Sequence, residues 1–339
     1  MTENAATPVS GPKRGRGAVL AWTLPFAACL LSLCCGAYGL GWADFRDLLT
    51  GSGSETAAAV LWEIRLPRIA AGLLVGASLA LAGAAFQGMF HNPLVSPDIL
   101  GASAGAGFGA SLAILMGWNM LGIQGLAFAA GVLAVALAAG IGARAHSDPT
   151  LGLILAGILV GMLFSAATAL LRVLADPYSK LPAITFWLMG GLNAVIPADV
   201  GLVFAPMLAG SAGLLVLGWP INLLAQGEDE ARALGLNTRR VRLAVICCAT
   251  LLSASAVCIG GLVGWIGLIT PHLGRTLVGS DHRRLFPACL ALGGGFTVLV
   301  DTLARTVAPL EIPLGILTAF LGAPFFLYYM IRYKSGFAS

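Results

Sequence analysis

The sequence predicts an all-α polytopic membrane protein of about ten transmembrane helices with both termini on the cytoplasmic side. Three observations predict it. Of 339 residues, 58% are hydrophobic and only 10% charged; the mean hydropathy is +0.91; and long runs without Asp, Glu, Lys or Arg recur along the chain. A soluble domain carries roughly 25% charged residues, and a helix crossing a hydrocarbon core needs about 20 apolar ones.

The first uncharged run, 17–43, is longer than a signal-peptide core and follows Lys13, Arg14 and Arg16, so it is expected to stay as an uncleaved first span. Residues 69–90 form the second span, entered through IRLPR at 64–68, where Pro67 suits a helix opening. The run 99–143 has room for two crossings, broken at GWNMLGIQG, 117–125. Residues 149–171 and 200–227 each cross once. The run 243–274 is too short for two full crossings, so one full span to about 263 is expected, then a short, broken one through Pro271 to about 277. Runs 285–307 and 312–331 complete the set.

The segment LPAITFWLMGGLNAVIPA at 181–198 is apolar but carries Pro182, Pro197 and the Gly190-Gly191 pair. Counting it as a span puts Arg232, Arg239, Arg240 and Arg242 outside, against the accumulation of basic residues in cytoplasmic loops. It is therefore read as a re-entrant or interfacial helix, which leaves thirteen of the nineteen Lys and Arg residues inside. The domain plan is a tail over 1–16, one membrane domain over 17–333 with a cytoplasmic loop at 220–242, and a tail over 334–339.

Forty-five glycines fit a lipid-embedded bundle, in which small residues let helices approach closely. The small-xxx-small steps include Gly72–Gly76, Gly105–Gly109, Gly157–Gly161 and Gly260–Gly264. GASAG at 101–105 matches a nucleophile elbow in letters alone, because no strand precedes it. No G-x-x-x-x-G-K-[ST] loop occurs around Lys13, Lys180 or Lys334, so any ATP-driven step belongs to another subunit. The seven cysteines lie in expected spans without metal or disulfide spacing, and His91, His146, His272 and His282 are scattered near span ends. No resident metal, cofactor or nucleic-acid partner is expected.

Two segments stand out. In QGEDEARALGLNTRRVR at 226–242, Glu228, Asp229 and Glu230 suit the start of a short helix and Gly235 its end; it reads either as a solvated connector or as a helix that inserts into a partner's groove. Arg65 and Arg68 at one span entrance and Arg305 at another span's end read either as interfacial anchors or as a positive rim that orients an acidic partner.

The ordered motifs RLPRIAAGLLVGASLALAGAAFQGMFHNPLVSPDILGASAGA at 65–106, LILAGI at 153–158, FWLMGGL at 186–192, GEDEARALGLN at 227–237, GWIGLITPHLGRTLVGSDHRRLFP at 264–287 and DTLARTVAPLEIPLGILTAFLGAPFFL at 301–327 resemble the FecCD family of permeases from siderophore, haem and cobalamin ABC importers. The resemblance implies a permease subunit in a bacterial cytoplasmic (inner) membrane, working as a homodimer or paired with a paralogous permease. Two ABC ATPase subunits would lie below it and an extracytoplasmic solute-binding protein above. It implies that Arg65, Arg68 and Arg305 face the binding protein, and that Gly227, Glu228, Asp229, Glu230, Ala231, Arg232, Leu234 and Gly235 dock on the ATPase. Asn92, Pro93 and Leu94 would form one part of an inner gate, and Thr150 and Leu151 another. The implied cargo is chelated iron or another metal compound, with ferric siderophore first, then haem, then cobalamin.

Two other classes compete. A secondary transporter needs ionisable groups deep in the bundle, whereas Asp98, Asp199, Asp301 and Glu311 map near span ends. A membrane enzyme needs a catalytic constellation, and the chain has neither H-E-x-x-H nor a convincing Ser/His pair.

Overall fold

The computed structural model describes residues 14–332 apart from 37, 40 and 145–148, and the described residues contain helices and turns but no strand. The expected tail segments 1–13 and 334–339, and His146, lie outside them. Helix α1 (Arg14–Cys34) stops well short of residue 43, and α2 (Trp42–Leu49) follows it. The intervening stretch contains Gly36, Gly39 and Gly41, and each glycine costs about 1 kcal/mol in a helix interior.

Pro67 does not open the next helix. Helix α3 (Glu55–Ala59) is capped by the Ser54 hydroxyl, which accepts from Ala57 N at 3.2 Å, and runs through a π-turn (Val60–Arg65) into α4 (Leu66–Met89) as one rod of 35 residues. The Leu66 N–H donates to Leu61 O, five residues back. This wide turn opens the ladder just where proline lacks a donor and its ring crowds the preceding turn.

The break before the fourth span is shorter than expected. Helix α5 (Ala102–Leu115) ends at residue 115, and α6 (Met120–Gly142) starts at 120, where Asn119 Oδ1 accepts from Gly122 N at 2.9 Å. Gln124 and Gly125 are thus helical.

Next come α7 (Pro149–Leu174) and α8 (Lys180–Met189). At ten residues α8 is about 15 Å long, too short to cross. Helices α9 (Pro197–Val216), α10 (Gly218–Leu224) and α11 (Glu228–Ala233) lead to α12 (Thr238–Gly260). Helix α13 (Ile266–Val278) is short and contains Pro271; α14 (His282–Ala304) and α15 (Leu314–Arg332) close the described chain. Among the described residues, six helices are long and apolar enough to cross a membrane, and three shorter apolar ones accompany them: Val19–Cys34, Ala102–Leu115 and Leu314–Tyr328.

The core is built on α4, α12 and α14, which are buried over most of their apolar stretches, whereas α7 and α9 are largely uncovered. Glycine sets the α4–α14 contact. A Cβ on Gly76 would lie 2.1 Å from Gly293 O, and one on Gly293 would lie 2.3 Å from Gly76 O, so the backbones touch directly. Helix α4 meets α13 in the same way, with Gly83 against Gly267 O at 1.9 Å from a would-be Cβ. Where hydrocarbon surrounds the helices, such close approach supplies the dispersion contact that replaces a hydrophobic drive.

The helix directions sort the chain's polar features to two ends. One end gathers the start of α4, the C-termini of α12 and α14 and the α8–α9 turn. The other gathers α10, α11, the starts of α7, α12 and α14, and the loop after α4.

Candidate functional site

At the first end, the π-turn and the start of α4 bring Arg65 and Arg68 beside Asp301 and Arg305, which are one turn apart at the end of α14. Arg68 is the centre. Its Nε donates to Asp301 Oδ1 and Oδ2 at 3.0 and 2.9 Å, and its Nη1 and Nη2 donate to Glu311 Oε1 and Oε2 at 2.9 and 3.0 Å. Arg305 Nη2 donates to Ser32 O at 2.7 Å and to Ser32 Oγ at 2.5 Å, and its Nε lies 3.9 Å from Asp301 Oδ2. Arg65 donates to the carbonyls of Leu33 and Tyr38. Gly36 makes room for both outer guanidinium groups, since a Cβ there would come within 3.0 Å of Arg65 Nη2 and 3.2 Å of Arg305 Nη1.

The three arginines singled out in the sequence therefore do cluster, but Arg65 and Arg68 are buried and all three bond within their own chain. Three guanidinium groups against two carboxylates leave one net positive charge. Glu311 is the group through which the cluster meets solvent, with 41% of its side chain exposed against 3% for Asp301.

A cleft of about 840 Å³ opens beside the cluster, lined by Arg68 and Glu311 and by Gln124, Lys180, Asn193 and Asp199. Gln124 Nε2 donates to Asp199 Oδ1 at 2.9 Å, while Asp199 Oδ2 caps α9 by accepting from Ile196 N at 3.0 Å.

At the other end, α11 is held to the bundle by one face and bares the other. Ala231 packs with Leu223 and Leu224 of α10, backed by Leu236 and Val241. Asp229, Glu230, Arg232 and Leu234 are exposed, and Gly227 and Gly235 bracket the helix at φ +133° and +83°, values that suit glycine. Glu228 turns inward. Its Oε1 accepts from Arg232 Nη2 at 2.5 Å and from the Thr238 hydroxyl at 3.2 Å, and its Oε2 accepts from Arg242 Nη2 at 2.6 Å. The same Arg242 Nη2 donates to Thr150 Oγ1 at 3.0 Å, at the start of α7.

The gate candidates lie at this end too. Asn92 Oδ1 accepts from Leu94 N at 2.9 Å, and Leu94 and Leu151 are exposed. Pro93 O is 3.1 Å from His272 Nε2; a carbonyl only accepts, so that nitrogen carries the proton. His91 donates likewise to Leu224 O, which ties the loop after α4 to α10. Asn222 Oδ1 accepts from His282 N at 2.9 Å and from His282 Nδ1 at 2.7 Å, and Asn222 Nδ2 donates to Asp281 Oδ1 at 2.6 Å. Three of the four histidines are thus structural ties. Among the described residues no group of three His, Cys, Asp or Glu side chains is placed to hold a metal ion. Ser103 of GASAG sits in the first turn of α5, where its N–H donates to Asp98 Oδ1 at 2.7 Å, so the motif is a capped helix start.

A sequence model described as the FecCD transport family matches residues 24–332. The chain belongs to the FecCD transport family. Within and around it, the chain is 39% identical over 312 residues to the molybdate import system permease protein MolB of Haemophilus influenzae, covering 91% of this chain and 93% of that one. It is 42% identical over 275 residues to the cobalamin import system permease protein BtuC of Halobacterium salinarum, covering 81% of this chain and 74% of that one. In three dimensions it resembles a solved inward-facing structure described as a metal-chelate type ABC transporter, with a TM-score of 0.86 and 38% identity over 94% of this chain and 99% of that one.

For this FecCD chain, the sequence picked out Arg68 but not its partners Asp301 and Glu311, which lie more than 230 positions away with no local signal. It picked out Glu228 but not Arg242, although the Glu228–Arg232 pair, four apart on one helix, was visible as a spacing.

Proposed function

We propose that this chain is the transmembrane permease subunit of an ATP-driven importer, and that it moves cargo by alternating access without chemistry on the cargo. The observation that carries the proposal is α11: a short helix with an acidic first turn, clipped to the bundle through Glu228 and baring Asp229, Glu230, Arg232 and Leu234. A chain without a Walker loop that presents such a helix has the form of a lever for a separate ATPase. Residues 227–237 would dock on that ATPase, with one ATPase per permease copy and one coupling loop, 220–242, on each.

In this proposal the chain crosses a bacterial cytoplasmic membrane ten times, with α8 interfacial, both termini inside and a single membrane domain over 17–333. Its support is the charge asymmetry. The α11 end carries Arg144, Arg232, Arg239, Arg240, Arg242, Arg275, Arg283 and Arg284, as cytoplasmic loops do. The arginine cluster then faces outward, and an acidic side chain of a solute-binding protein would compete with solvent-exposed Glu311 for Arg68. A second copy is supported by the uncovered face of α7, where Ser165 and Ala169 are exposed small residues suited to close helix approach.

The cargo class is a metal compound, with a ferric siderophore as first cargo and haem, cobalamin and molybdate as the alternatives. The test is uptake into vesicles containing the chain with its ATPase and binding protein, measured for those four compounds with and without ATP. ATP-dependent uptake of one of them supports the reading; uptake indifferent to ATP and to the binding protein overturns it in favour of secondary transport.

A further inference from the structure

The exposed face of α11 can sense a partner, but sensing moves nothing unless α11 is joined to a helix that is free to shift. Helix α7 is the candidate. It packs on α5 and α6, and more than two thirds of its most apolar stretch is uncovered. Helix α12, which follows α11 directly, packs on α4 and α9 as well as on α5 and α6, and most of its apolar stretch is buried. The two helices are joined at their starts by Arg242, whose Nη2 reaches Glu228 Oε2 on α11 at 2.6 Å and Thr150 Oγ1 on α7 at 3.0 Å.

The geometry points to Arg242 as a positioning residue that transmits displacement of 227–237 to the start of α7, and hence to the gate candidate Thr150–Leu151. This inference rests on the importer reading and deepens it. Three features make Arg242 suited to the role. Its side chain is only 16% exposed, so water competes poorly for its donors. A guanidinium group offers several donors in a rigid fork and holds its charge at any physiological pH. Its carboxylate partner is itself braced by Arg232 and Thr238, so a shift of α11 moves Arg242 rather than swinging the Glu228 side chain alone.

Thr150 supplies the point of test. Thr150→Val removes the hydroxyl and keeps the branched shape, leaving Glu228–Arg242 and the exposed face of α11 untouched; Thr150→Ser keeps the hydroxyl. The test uses the full complex of permease, ATPase and binding protein, with deuterium exchange of 150–156 followed in the nucleotide-free and ATP–vanadate states for wild type, Thr150→Val, Thr150→Ser, Arg242→Gln and Arg242→Lys. ATP hydrolysis is recorded alongside.

The expected result is a nucleotide-dependent change in exchange at 150–156 in wild type that is retained in Thr150→Ser, partly retained in Arg242→Lys, and reduced about 5- to 10-fold in Thr150→Val and Arg242→Gln, the range of a modest coupling free energy. ATP hydrolysis should persist in both impaired variants, which separates lost coupling from lost assembly. A full nucleotide response in Thr150→Val and Arg242→Gln overturns the role of Arg242 while leaving the importer reading intact. Absence of any nucleotide response in wild type, together with no association of an ATPase, overturns the importer reading itself.

Discussion

Replacing Arg68 by Met tests the reasoning about the outer cluster most sharply, because its two carboxylate partners sit in opposite environments. Asp301 is 3% exposed and would lose the Arg68 Nε donor that its two oxygens share at 3.0 and 2.9 Å, keeping Arg305 Nε at 3.9 Å. Glu311 is 41% exposed and would exchange its two bonds for water. Removing one partner of a buried ion pair costs about 3–5 kcal/mol, while an exposed pair contributes about 0–1 kcal/mol. Arg68→Met should therefore cost about 3–5 kcal/mol, nearly all of it from stranding Asp301, and Glu311→Gln should cost about 1 kcal/mol or less.

Removing both buried charges in Arg68→Met/Asp301→Leu should recover at least half of the single-variant loss, since paired buried ions are replaceable by apolar groups of similar volume. Recovery stays short of complete, because Arg305 then loses its neighbouring carboxylate. The measurement is unfolding in mixed micelles titrated with sodium dodecyl sulfate, read by tryptophan fluorescence and arranged as a double-mutant cycle. A loss below about 1 kcal/mol for Arg68→Met, or a double variant weaker than Arg68→Met, refutes the claim that Asp301 is held by a desolvated pair.

Three further outcomes are expected. Gly76→Ala puts a methyl group 2.1 Å from Gly293 O and should lower stability by about 1–3 kcal/mol, whereas Gly125→Ala, with nothing within 4 Å, should raise it by up to about 1 kcal/mol in the same assay. Burial pushes the Asp281 carboxyl up, but hydrogen bonds from Asn222 and from the backbone and side chain of Arg283 outweigh it and hold the group below the usual carboxylate range. Its contribution is then present above the unfolded carboxylate pKa of about 3.9 and lost as pH falls through the folded value, so the wild-type unfolding midpoint should drop below about pH 4 while Asp281→Asn shows a smaller drop. Leu234→Asp on the bare face of α11 should abolish co-purification of the ATPase with the permease and leave the permease's own unfolding curve unchanged; a retained complex counts against docking through 227–237.

What was legible in the sequence follows from which interactions are local. The uncharged runs located most of the long helices, because exclusion of charge from hydrocarbon is written residue by residue. The acidic start and glycine end of α11 were legible because both act within one turn. The first run ended early, at Cys34, because glycine spacing outweighed hydropathy. The second helix began fourteen residues before the uncharged run, because Glu55, Glu63, Arg65 and Arg68 interrupt hydropathy but not helix. Pro67 signalled a start where the chain instead has a π-turn, since the same missing donor suits both. The pairing of Arg68 with Asp301 and Glu311 depends on tertiary packing of α4 against α14, which no window of sequence contains.

The same packing determines where motion can occur. Helices α4 and α14 touch backbone to backbone at Gly76 and Gly293, so sliding one past the other drives carbonyl oxygens into Cα atoms, and close-packed elements of this kind shift between discrete arrangements rather than deform. Helix α7 packs on α5 and α6, with Gly157 close to the Ile99 carbonyl, and its uncovered face is the one proposed to meet a second copy. Its position relative to α11 is set in addition by a directional polar contact at its start. The Arg242–Thr150 bond at one end is such a contact, so a change of one hydroxyl at residue 150 should alter coupling without altering the core, whereas a change of one methyl at residue 76 should do the reverse.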